Sequence, residues 1–173
     1  MVGWLDQLDA QLRMLLPLAT GMVAVLFDVL PVHGTGLESV ASFATLGVVY
    51  FWSLYRPELF SITATFATGL IHDSLAGLPI GVTSLVLLLV RNLLVTQQRF
   101  FLARSFPVIW ACFMLLAPVA LLCRWLLVSL WWGTLFPLSP IAVELLLTLA
   151  LYPLISWVLG RLQAIIPRVI HAP

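Results

Sequence analysis

The chain has 173 residues, of which 62% are apolar and 9% charged, with a net charge of +1 and a mean hydropathy of +1.13. A soluble domain is about 45–50% apolar and ~25% charged. Eight basic and seven acidic residues cannot cover a water-soluble surface of this size, so a soluble globular domain, a disordered chain and a nucleic-acid binder with a basic face are all excluded. The composition is that of an all-α integral membrane protein with little mass outside the bilayer, a single membrane domain over 1–173.

Each span needs about 20 mostly apolar residues. The N-terminus, Met1–Arg13, carries Asp6, Asp9 and one arginine, unlike the basic start of a cleaved signal peptide. Two readings compete for Met1–Gln11: a short interfacial helix, or a loosely ordered start. The hydrophobic pattern then predicts six spans at about 14–30, 39–55, 59–76, 80–95, 107–130 and 139–159. Pro31 and a Gly-containing turn end the first, and Arg56-Pro57 ends the second. Gly77-Leu78-Pro79 breaks the third from the fourth, and the polar stretch Thr96–Ser105 reads as a loop. Trp131-Trp132-Gly133 supplies an aromatic belt and a turn. Cys112 and Cys123 lie about three helical turns apart, too far for a disulfide, and read as two buried apolar thiols.

Loops rich in arginine stay cytoplasmic. With six spans, Arg13, Arg56, Arg91, Arg99, Arg104, Arg161 and Arg168 all fall on one side, and the opposite loops hold no basic residue. Both termini are therefore expected in the cytoplasm.

Ionisable groups within spans cost about 2.5–3.5 kcal/mol each and usually face a protein interior. Asp28, Asp73, Arg124 and Glu144 map to the outer part of the bilayer on four different spans, and His72 adjoins Asp73 in the third. Asp28, with Glu38, is expected to snorkel to the headgroups; Asp73 and Arg124 are the candidates for a paired internal polar network. Three acids against one arginine leave that network unbalanced. Gly69, Asp73 and Gly77 recur every four residues, which predicts one helix face in close contact with another helix; Pro79 and Gly81 then turn the chain. No zinc-type Cys/His cluster, P-loop or hydrolase elbow is present, and neighbouring His72 and Asp73 point to different helix faces.

The segment Phe66–Gly81, with Gly69, Asp73, Gly77 and Gly81 spaced as G-x-x-x-D-x-x-x-G-x-x-x-G, resembles the signature of the rod shape-determining MreD family. Tyr50-Phe51-Trp52 and Arg56-Pro57 fit the same pattern. The resemblance implies a multi-pass protein of the bacterial inner membrane, a non-enzyme without cofactor or metal. It implies work in cell elongation beside MreC, MreB, RodA and the penicillin-binding protein of RodA. It also implies a fold similar to the substrate-binding component of energy-coupling-factor transporters. Two functions follow: a scaffold that docks the membrane helix of an MreC-type partner, or a small-molecule or lipid binding component of a transporter.

Overall fold

The computed structural model describes residues 3–29, 43–98 and 104–165. Among these the regular structure is six helices: α1 (Gly3–Val29), α2 (Ala44–Tyr55), α3 (Ile62–Ala76), α4 (Val82–Thr96), α5 (Phe106–Trp132) and α6 (Ser139–Ile165). Successive helices run up and down. α1 is continuous from Gly3 through Pro17, so Gly3–Gln11 forms the first turns of the same helix and not a separate interfacial helix. The strongly apolar part of α1 is Leu16–Val29.

α5 and α6 are long and apolar enough to cross a bilayer, with mean hydropathies of 2.3 and 1.9. α2 differs from both. Its 12 residues span about 18 Å, well short of a bilayer core of about 30 Å. Every residue from Ala44 to Leu54 is buried, as expected of a helix that is apolar all round. Four helices surround it: α1, α4, α5 and α6. Trp52 donates its indole N–H to Thr20 Oγ1 of α1 at 3.0 Å, and the Tyr50 hydroxyl donates to the Ile109 carbonyl of α5 at 3.0 Å. Gly47 lets Ile155 of α6 approach to 3.2 Å from where a Cβ would stand. Tyr50, Phe113 and Tyr152 close this junction, with ring centroids 4.1–5.4 Å apart.

Polar residues are gathered inside and apolar residues outside. Thr45, Ser53, Thr65, Thr68, Thr83, Ser84 and Thr148 are buried, while Leu85, Leu89 and Leu93 of α4 and Leu115, Val119 and Leu122 of α5 are exposed. Water would penalise that distribution, and lipid favours it. Cys123 belongs to the outward face and Cys112 is half-buried; both thiols are free.

At the end of the bundle holding Arg56 and Arg91, side chains close the helix termini. Arg91 donates to the carbonyls of Phe60 and Pro57 at 3.0 and 3.2 Å, and Gln98 donates to that of Leu54 at 3.0 Å. The stretch expected as a loop from Thr96 is helical to that residue, with Gln97 as its cap. The other end of the bundle carries Asp28, Asp73 and Glu144.

Candidate functional site: a polar cluster that joins helix ends

Asp73 lies in the last turn of α3 and is fully buried. Its carboxylate accepts from the Gly81 N–H at 2.9 Å and from the Thr83 N–H at 3.1 Å. These N–H groups open α4 and have no partner within the helix. A carboxylate there satisfies both and meets the positive end of the helix dipole. The glycines of the signature make this possible in three different ways. Gly69 sits one turn earlier, where a Cβ would stand 2.5 Å from Ser84 Cα and 2.7 Å from Ser84 N, so the backbones of α3 and α4 touch. Ser84 adds a hydroxyl bond to the Phe66 carbonyl at 3.1 Å. Gly77 ends α3 with φ of +66° and bonds to the Asp73 carbonyl. Gly81 adopts φ of +99° to start α4, and the Pro79 carbonyl accepts from Val82 N–H at 3.2 Å.

The expected single packing face is thus corrected. Gly69 packs, and it packs on α4 of the same chain. Gly77 does not pack, since nothing lies within 4 Å of its Cβ position; its left-handed backbone is what the turn requires.

Asp28 repeats the device between α1 and α2. Its carboxylate accepts from the N–H groups of Ala44 at 2.7 Å and Thr45 at 2.9 Å, and the residue is 3% exposed. It does not snorkel, because the N-terminus of α2 is buried and has no water to bond. Glu38, expected to behave likewise, lies outside the described residues.

His72 faces Asp28, not α4. Its Nε2 is 3.8 Å from Asp28 Oδ2, and its buried Nδ1 has no hydrogen-bond partner. Its ring meets the edge of Phe43, centroid to centroid 5.6 Å. On the far side of Phe43 lies the Arg124 guanidinium, 4.4 Å above the ring. Arg124 forms an ion pair with Glu144 of α6. Thr148, one turn below Glu144, donates to its carbonyl at 2.7 Å and accepts from the Phe43 N–H at 3.0 Å.

The predicted partners Asp73 and Arg124 therefore do not pair. Asp73 faces the start of α4, and Arg124 faces α6. The apparent excess of acid is resolved by the helices: two carboxylates meet helix N-termini, and Glu144 meets the arginine. Phe43 and Thr148 bind this cluster together, yet neither has a sequence signal, since an aromatic residue before a helix and a threonine within one are commonplace. Among the described residues, no group of three His, Cys, Asp or Glu is placed to hold a metal ion.

The arrangement is built to hold helices. Its acids are spent on backbone N–H groups and one arginine. The side chains of Asp28 and His72 are 1% and 5% exposed, and those of Arg124 and Glu144 are 14% and 12% exposed.

A protein of Rickettsia prowazekii (strain Madrid E), itself described as uncharacterized, is 32% identical over 83 residues, covering 48% of this chain and 46% of that protein. The chain thus spans about half the length of the curated relative it matches. No solved structure matches it. The model of the family described as rod shape-determining protein MreD matches residues 9–162, which include both aspartate-capped joints and the Arg124–Glu144 pair. The chain belongs to the MreD family of membrane proteins, whose members take part in determining rod shape.

Proposed function

We propose that this chain is a non-enzymatic scaffold of the bacterial cell-elongation complex, docking an MreC-type membrane protein and so supporting cell shape and peptidoglycan synthesis. In this reading it crosses the inner membrane six times with both termini in the cytoplasm. Its wider assembly is MreB, RodA and the penicillin-binding protein of RodA. The reading carries with it a fold similar to the substrate-binding component of energy-coupling-factor transporters. At the acid-bearing end Phe43, Arg124 and Glu144 are engaged with one another. Polar side chains engaged within the protein support scaffold over ligand carrier.

The signature residues contribute to docking indirectly. Gly69, Asp73, Gly77, Pro79 and Gly81 fix the α3–α4 hairpin, and the hairpin presents the exposed stripe Leu85, Leu89 and Leu93 to lipid or to a partner helix. Photo-crosslinking side chains placed at Leu85 and Leu89 in the full chain are expected to capture the MreC-type protein in membranes. Capture of lipid alone at both positions removes the docking face from this hairpin. Failure of the MreC-type protein to co-purify with the parent chain removes the scaffold reading. For topology, reporters after Arg56 and Pro173 are expected in the cytoplasm and one at Gly34 outside; a periplasmic C-terminus overturns the six-span arrangement.

A further inference from the structure

The helices that face outward differ widely in length. α3 and α4 have 15 residues each, about 22 Å at a rise of about 1.5 Å per residue, whereas α5 has 27, about 40 Å. Their exposed apolar surfaces differ likewise. On α3 that surface runs from Ile62 to Leu75, about 20 Å, and on α5 from Phe106 to Trp132, about 39 Å. Exposed polar residues bound the short surface. Ser61 and Thr63 stand at its start and Ser74 near its end. Asn92 and Thr96 of α4 lie exposed at the first of these ends, where Arg91 bonds the Phe60 carbonyl. A bilayer core is about 30 Å thick. α5 meets it by tilting, with Trp131 and Trp132 at the headgroups. The α3–α4 hairpin falls about 10 Å short, and tilting shortens it further. Arg91 does not bridge the gap by snorkelling, because it is turned inward onto the carbonyls of Phe60 and Pro57.

We infer that the α3–α4 hairpin draws the two leaflets together, so that the lipid against α3 forms a core of about 20 Å beside the ordinary thickness along α5. The inference rests on the six-span reading proposed above and not on the docking face. A hydrophobic stretch too short for its bilayer is met by thinning, by snorkelling or by association. The end residues of α3 have short side chains, and the hydroxyls of Thr63 and Ser74 are already bonded, to Ser61 and to the Leu70 carbonyl. The hairpin has no slack to lengthen, since Gly69 brings α3 onto the backbone of Ser84 and Asp73 binds the start of α4. The shape of the surface favours lipid over a protein partner. At 3.6 residues per turn, Ile62, Phe66, Thr63, Ile71 and Leu75 succeed one another over about 220° of the circumference of α3. One partner helix covers a fraction of so convex a face, and fluid acyl chains cover all of it.

The test uses the purified full chain, with Cys112 and Cys123 replaced by alanine, in dioleoylphosphatidylcholine bilayers. Nitroxide labels are placed one at a time through Thr63→Cys and Ser74→Cys on α3 and through Leu115→Cys and Leu126→Cys on α5. All four positions are exposed, and the two positions of each pair are about 16 Å apart along their helix. Depth is read from collisions with oxygen and with a water-soluble nickel chelate. The α5 pair is expected about 7 Å inside the hydrocarbon, as a segment of about 16 Å in a core of about 30 Å requires. The α3 pair is expected within about 2 Å of the headgroups, about 5 Å shallower. In bilayers of longer acyl chains the α5 pair is expected to sink further and the α3 pair to keep its level. Equal depth of the two pairs overturns the proposal, and so does an α3 pair that sinks with chain length. An α3 pair screened from both oxygen and nickel reports protein cover and also overturns it. These bilayers contain no partner protein, so the result is separate from the docking reading, and a failure of the six-span arrangement shows in the reporter fusions.

Discussion

Gly69→Ala tests the α3–α4 joint by adding a single methyl group. The new Cβ stands 2.5 Å from Ser84 Cα and 2.7 Å from Ser84 N. Carbon atoms in good contact are about 3.5–4.0 Å apart, so α3 and α4 must separate by about 1 Å. Overpacking of this kind typically costs ~1–3 kcal/mol. The separation also stretches the bonds from Gly81 and Thr83 to Asp73, now 2.9 and 3.1 Å, beyond the usual limit of about 3.2 Å. Weakening buried bonds to a carboxylate adds roughly 1 kcal/mol more, for a total of about 2–4 kcal/mol. The measurement is unfolding of the purified chain in a mild detergent. Gly160→Ala is the matched control: the same chemical change in a helix, with no atom near the new methyl, is expected to be neutral or up to about 1 kcal/mol stabilising. Opposite signs for the two variants support the joint; equal stability of Gly69→Ala and the parent refutes it. Adding Ser84→Gly is not expected to rescue Gly69→Ala, because the nearest atoms are backbone, and a full rescue would place the clash on the side chain instead.

Three further outcomes follow from the same geometry. Asp73→Ala is expected to cost about 1–3 kcal/mol by leaving the Gly81 and Thr83 N–H groups unpaired, and Asp73→Asn less, since one acceptor oxygen remains; denaturant unfolding of both variants checks the order. A double-mutant cycle with Arg124→Ala and Glu144→Ala is expected to show coupling of about 0.5–3 kcal/mol, whereas Asp73→Ala and Arg124→Ala are expected to add. Gly77→Ala is expected to lose roughly 1–2 kcal/mol although its surroundings are open, because the loss comes from φ of +66° alone, and hydrogen exchange should show it as local fraying at the α3–α4 turn.

The six helices were legible because runs of apolar residues are long and the breaks carry Gly, Pro and Arg. The boundaries that moved did so for tertiary reasons. α2 was expected from Ser39 and begins at Ala44, because the Asp28 carboxylate takes the N–H groups of Ala44 and Thr45 and so fixes the first turn there. The spacing of Gly69, Asp73, Gly77 and Gly81 marked the right segment, but equal spacing concealed unequal jobs. One glycine makes room, two turn the backbone, and only the φ angles and the distance to Ser84 separate these roles. Depth alone suggested Asp73 with Arg124, since residues at one level on different helices look like partners. Which way each faces depends on helix rotation, and no sequence period here fixes it: α3 and α5 carry apolar residues on nearly every side.

The placement of the acids follows from where helices begin. Three times the chain turns at this end of the bundle, from α1 to α2, from α3 to α4 and from α5 to α6. In the first two turns the new helix starts inside the protein, with Ala44 buried at 4% exposure and Thr83 at 0%. The first N–H groups of such a helix can be satisfied neither by water nor by their own carbonyls, and each costs several kcal/mol if left bare in apolar surroundings. An aspartate from the preceding helix meets that need, and the helix dipole in turn lowers the cost of burying the carboxylate. At the third turn α6 starts with an exposed Ser139, where outside groups can reach its first N–H groups. No acid caps α6 among the described contacts; the acid of this helix, Glu144, lies further along and is spent on Arg124. An acidic residue in a membrane segment is commonly taken as a mark of transport or catalysis. Here Asp28 and Asp73 are accounted for by the two buried helix starts they cap.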